Sequence, residues 1–172
     1  YTFFDLHCAI QDSMGWTDSH LHDFSLDTRS QSKLKREGVG KIIKIEFPNP
    51  EADDFVWGIG DEKIERRDER MEYITDWFPD KMKQCTYTYD FGDNWIHEVE
   101  IEKEVQALKN ERYPRCIAGE NACPPEDIGG IPGFEHLLAT LDDPKSEDRE
   151  ELLAWIGYKY DPKKFDPTKV NF

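Results

Sequence analysis

Two short segments hold most of the side chains that could do chemistry. YTYDFGDNWIHEVEIE, residues 87–102, carries Tyr89, Asp90, Asp93, Trp95 and His97. CPPEDIGGIPGF, residues 123–134, carries Glu126 and Asp127 between paired prolines and three glycines. Carboxylates beside an imidazole can hold a cation, position a metal ion or serve as a general base, and aromatic walls favour a cationic guest. Together these seven residues are the candidate pocket, with aromatic sides and an acidic rim.

Each part also has a plainer reading. His97 shares a strand face with Trp95 and Val99, so it is either a core histidine with both nitrogens hydrogen-bonded or a ligand or base oriented by Asp90 or Asp93. Asp90 and Asp93 flank Gly92, where aspartate commonly binds local backbone. Glu98, Glu100 and Glu102 form a row that reads as a solvated sheet face. The glycine loop running into a helix raises a phosphate cradle, but Glu126 and Asp127 repel phosphate, and neither GxGxxG nor GxxxxGK[ST] is present. Cys116 and Cys123 with His97 or His136 offer a three-ligand metal set. Their spacing is not CxxC and no second cysteine pair exists, so a buried thiol pair competes with it. His20 and His22 share one face of a short strand, a spacing compatible with metal but also with packing. GxSxG, HExxH, the EF-hand loop and the kinase motifs are absent. The remaining expectation is geometric: His97, Asp93 and Glu126 should meet in one pocket.

Positioning these groups requires a sheet and helices. Thr2 can cap a helix whose apolar face is Phe3, Leu6, Ile10 and Met14, ended by Gly15. Residues 20–27 and 41–47 read as strands, and residues 28–40 as an exposed polar loop. The mixed-charge block 61–72 leads into a helix spaced by Met71, Ile74 and Phe78 and stopped before Pro79. Period-two alternation on both sides of Gly92–Asp93 gives a hairpin with Cys85, Tyr87, Tyr89 and Phe91 on one face. Phe134, Leu137, Leu138 and Leu141 form one helical stripe. Leu152, Trp155 and Ile156 form another, entered at Ser146 with Glu147 and Asp148 and ended at Gly157. The expected fold is α+β: a single domain over residues 1–172, a mostly antiparallel sheet with an N-terminal helix and C-terminal helices packed on it.

Composition narrows function by exclusion. With 172 residues, 37% hydrophobic and 13% aromatic, the chain can build one real core. A net charge of −15 argues against nucleic-acid binding and ranks DNA processing last. The same charge suits a cationic peptide, a cationic small molecule or a divalent metal. No run reaches the roughly 18–20 apolar residues of a membrane helix. Four scattered cysteines suit a reducing cytoplasm rather than a disulfide framework.

LHCAIQDSMGWTDSHLHDF (residues 6–24), YTYDFGDNWIHEVEIE and YPRCIAGENACPPEDIGGIPGFEHLLATLDDP (residues 113–144) together resemble one family, and DPKKFDPTKVN near the C-terminus fits as well. The chain is similar to the plasmid pRiA4b ORF-3-like family, members of which occur as passengers in insertion elements. The family is largely uncharacterised, and its occasional resolvase label gains nothing from this sequence: a serine recombinase needs an activated serine among arginines and a basic DNA-binding segment. The family pattern also opens with a Trp–Arg strand ahead of the first helix, whereas here Tyr1 stands at that helix. What remains for function is a binding or interaction module as the first reading and a metal-dependent, hydrolase-like enzyme using His97 and nearby carboxylates as the alternative.

Overall fold

The computed structural model describes residues 1–29, 40–48, 64–78 and 82–172. Most of the polar loop expected at 28–40, and the proline stops at Pro50 and Pro79, lie outside the described residues. Helix α1 (Phe3–Met14) begins with a capping box, in which Thr2 Oγ1 accepts from Asp5 N and Asp5 Oδ2 accepts from Thr2 N. It ends where Gly15 adopts a left-handed conformation, φ 75°. The stripe that α1 buries most deeply is Phe3, His7 and Gln11. Leu6, Ile10 and Met14, expected to lead that face, are only partly buried against the same core. An amphipathic helix has therefore been turned so that two polar side chains enter the interior.

Five strands follow: β1 (His22–Asp27), β2 (Ile42–Glu46), β3 (Ile64–Asp68), β4 (Gln84–Tyr89) and β5 (Trp95–Glu100). They form one sheet in the order β3-β2-β1-β4-β5. All neighbours are antiparallel except β2 and β3. Strand β3 is a correction to the reading of the charged block as a helical approach. IERRD lacks apolar alternation because its arginines face carboxylates, Arg66 pairing with Glu46 and Arg67 with Glu65 and Glu72. The helix expected after it shrinks to one turn, α2 (Ile74–Trp77).

The inner sheet face is apolar. Phe24, Leu26, Ile43, Ile45 and Tyr87 are fully buried, and Phe3 of α1 meets Phe24 edge-on with ring centroids 5.1 Å apart. A second, smaller cluster joins α3 (Gly130–Asp142) to α4 (Arg149–Ile156) through Leu137, Ile156 and Tyr160. Trp155, expected in the α4 stripe, is instead half exposed, and the helix is entered at Asp148, the last residue of the expected 146–148 start. The result is the expected α+β domain, with α1 and the C-terminal helices on a mostly antiparallel sheet.

Candidate functional site

The turn between β4 and β5 is wider than a two-residue hairpin. Asp90 and Asn94 take left-handed backbone angles, φ 53° and 58°, while Gly92 does not. Asp90 Oδ1 accepts from Gly92 N at 2.8 Å, which fixes the carboxyl over the turn. Ending the strand at Tyr89 also sends Phe91 out to solvent instead of onto the Tyr87–Tyr89 face.

The loop before α3 is locked onto this turn. Asp93 Oδ2 accepts from Gly129 N at 3.0 Å. A Cβ on Gly130 would stand 2.7 Å from the Asp93 carbonyl oxygen, so only glycine allows this approach. Trp16 Nε1 donates to the Pro124 carbonyl at 3.0 Å. Glu126 Oε1 accepts from Tyr89 Oη at 2.6 Å, and its Oε2 accepts from Thr17 N at 2.9 Å. Burial and this carboxylate both push the Tyr89 phenol well above its ordinary value, so it remains a donor. Asp127, at φ 57°, turns its carboxylate to His20.

His20 Nε2 thus lies 2.8 Å from Asp127 Oδ1, 3.7 Å from Asp90 Oδ2 and 3.9 Å from Glu126 Oε1. Three carboxylates and an imidazole, delivered by three chain segments, share one small volume. Among the described residues no lysine or arginine pairs with any of these carboxylates. Donor atoms of His20, Asp90 and Asp127 fall within 4.8 Å of one another, a set that could hold a cation. His20 is the member missed as a pocket residue. Its signal was present in the alternation Asp18–His20–His22, but sequence spacing cannot show which carboxylates a loop over a hundred residues away will deliver.

The structure does not bring His97 to these carboxylates. Its ring meets Trp16 edge-on at 5.5 Å and tilts against Tyr87 at 5.7 Å, and Trp16 stacks on Tyr89 at 4.8 Å. The three expected pocket members therefore keep separate partners: Asp93 is tied to Gly129, Glu126 to Tyr89 and Thr17, and His97 packs on Trp16 and Tyr87. His97 Nδ1 is buried without a partner among the described residues. Trp95 packs edge-on against Phe134, centroids 6.4 Å apart, and so links sheet and loop helix rather than lining an open wall. Nor do Cys116 and Cys123 join His97: neither described group of metal-ligand type contains any of the three. Cys116 donates to the Ala118 carbonyl, while burial and Glu126 push the Cys123 thiol up to about 12, far from a thiolate nucleophile.

A second polar group lies under α1. His7 Nδ1 is 2.8 Å from Tyr87 Oη and its Nε2 is 2.9 Å from Asp18 Oδ1. Gln11 Nε2 donates to Tyr87 Oη at 3.0 Å, so the phenol proton is free to donate to His7 Nδ1, and Nε2–H donates to Asp18. His22 lies parallel to His7, centroids 3.5 Å apart, and its Nε2 is 2.7 Å from Oε2 of the fully buried Glu69.

Burial lowers both His7 and His97 below the ordinary histidine value of 6.5; the nearby His22 adds to this at His7, against the pull of Asp18 and Glu69. The unfolded chain then takes up protons that the folded chain refuses. The contribution of the two rings is complete above about 6.5 and is lost as pH falls beneath it. Urea unfolding at about pH 7.5 and about pH 5.5 should give the lower midpoint in acid, with a smaller drop in His97→Asn. Equal midpoints would contradict this.

The family model for "Plasmid pRiA4b ORF-3-like protein" matches residues 1–169. An uncharacterised protein, y4hQ of Sinorhizobium fredii (strain NBRC 101917 / NGR234), is 32% identical over 167 residues, covering 97% of this chain and 72% of that protein. The crystal structure of a protein of unknown function, MM3350 from Methanosarcina mazei Go1, is similar at a TM-score of 0.79 and 37% identity. That match covers 100% of this chain and 84% of the solved one. No helix among the described residues is long and apolar enough to cross a membrane.

Proposed function

The chain belongs to the plasmid pRiA4b ORF-3-like family, whose compared members are of unknown function, and from that premise we propose that it is a binding module for a cationic group on a peptide or small molecule. The observation that carries this reading is the convergence of Asp90, Glu126 and Asp127 on His20 with no basic side chain neutralising them among the described residues. Holding Asp90 and Asp127 in left-handed conformations costs about 1–3 kcal/mol each, a strain typical of functional positions. Leu21 and Phe91, neighbours of His20 and Asp90 in the chain, are 58% and 50% exposed, and Asp90 N donates to the Leu21 carbonyl. An acidic centre beside exposed apolar side chains matches a ligand that carries a positive charge next to an apolar group. Net charge of −15 would speed the approach of such a ligand at low salt. Four free cysteines support a reducing, cytoplasmic setting for the same activity.

Calorimetric titration with short Leu/Phe peptides containing lysine or arginine tests the proposal, with acetyl-lysine and citrulline peptides as uncharged controls. Binding should weaken with salt and fall about tenfold in Asp90→Asn or Glu126→Gln, the scale of one charge-assisted hydrogen bond. Equal binding of charged and uncharged peptides would end it. One observation favours a second reading, a divalent-metal-dependent enzyme: the donor atoms of His20, Asp90 and Asp127 are close enough to share an ion. Manganese bound at His20 and displacing the peptide would support that reading over the first.

A further inference from the structure

We propose that His7, His22 and Asp18 form a binding site for one divalent first-row transition-metal ion, distinct from the acidic cluster and independent of the function proposed for it. Donor atoms of the three residues lie within 4.8 Å of one another, so a small inward shift of one side chain brings all three within bonds of about 2.0–2.2 Å of a single ion. Two imidazoles and one carboxylate suit zinc, cobalt, manganese or iron(II), whereas magnesium and calcium take oxygen ligands.

The surroundings have the form that metal-binding histidines need. One nitrogen of each ring is held by a buried partner: His22 Nε2 by Glu69 and His7 Nδ1 by Tyr87. Such outer bonds fix ring orientation and leave the opposite nitrogen for the ion. With metal bound, the His7 proton would move to Nδ1 and donate to Tyr87 Oη, freeing Nε2 without any change in ring charge and turning the phenol proton of Tyr87 away from His7. Glu69 is the second, independent observation. It has no exposed surface, one oxygen meets His22, and Oε1 has no partner among the described residues. A buried carboxylate with a single imidazole neighbour is costly, and a dication on that imidazole would supply the missing positive charge. An open cleft of about 390 Å³ is lined by His7 and Asp18 among others, so it runs beside two of the three ligands.

The two rings are only 2° from parallel, which points their in-plane lone pairs side by side. Occupancy therefore requires one ring to tilt. Asp18 is the part of the site free to follow, because its side chain is 55% exposed.

The test is titration of the chelator-treated protein with cobalt(II), read by visible absorption. One ion per chain is expected, displaced by zinc. Asp18→Asn should weaken binding about tenfold or more. His22→Gln should abolish it, while His20→Asn and Asp127→Asn should leave it intact. The proposal fails if the wild-type protein binds no cobalt at about 1 mM, a very weak affinity. It also fails if Asp18→Asn binds like wild type, or if His20→Asn removes the ion. Should His22→Gln not fold, Asp18→Asn decides alone, since its exposed side chain leaves the core untouched.

Discussion

A His22→Leu variant is expected to lose about 3–5 kcal/mol of folding stability, the cost of leaving a buried charge without its partner. Leucine is close to histidine in size, so the loss does not come from a cavity. It comes from Glu69, whose only described side-chain partner is His22 Nε2 at 2.7 Å. Glu69 cannot move to water, because its backbone is held from both sides: its N–H donates to the Glu46 carbonyl and its own carbonyl accepts from Phe4 N. Glu69→Gln is the control. It keeps a hydrogen-bond acceptor for His22 and removes the charge, so a loss of only about 1 kcal/mol is expected. Urea unfolding of the three proteins measures both numbers, and equal loss in both variants would show that charge plays no part.

Gly133→Ala is the second large effect. A Cβ at this position would lie 1.8 Å from the Ile128 carbonyl oxygen, a contact no rotamer can relieve. Either the first turn of α3 or the Glu126–Ile128 loop must shift. The combined strain is about 2 kcal/mol or more. The shift should reach Asp127 and Glu126, so binding of cationic peptides should fall along with stability. Gly129→Ala gives the comparison: its φ of 91° strains an alanine, but its Cβ meets nothing nearer than 3.9 Å. A Gly133→Ala protein as stable as wild type would show that the loop is not held against the helix as described.

The fold class was legible because it rests on patterns of two and of 3.6 residues. Alternation in Gln84–Tyr89 and Trp95–Glu100 marked the hairpin, and Thr2 and Gly15 marked both ends of α1. Strand β3 was not legible, since its arginines and glutamates satisfy one another rather than alternate with apolar residues. The site was half legible. Asp90, Glu126 and Asp127 stood out by composition, but His20 could join them only through a tertiary contact across 107 positions of chain. His97 stayed open between core residue and ligand because a strand face says that a side chain points inward and nothing about what it meets there. His7 and Gln11 were missed outright, for the apolar stripe of α1 offered an adequate core face that the tertiary structure did not choose.

The strand order has a kinetic side. β1 sits at the centre of the sheet and pairs with β4, His22 opposite Tyr89, while α1 finds Tyr87 for His7 and Glu72 for the N–H of Phe3. Strand β1 can pair early with β2, but its other edge and most partners of α1 lie far along the chain, and long loops must close before those contacts reward them. Emerging from a ribosome, helix α1 and the free edge of β1 would wait for β4 before the sheet could be completed. The chain should then fold late and as one unit, with no stable N-terminal half.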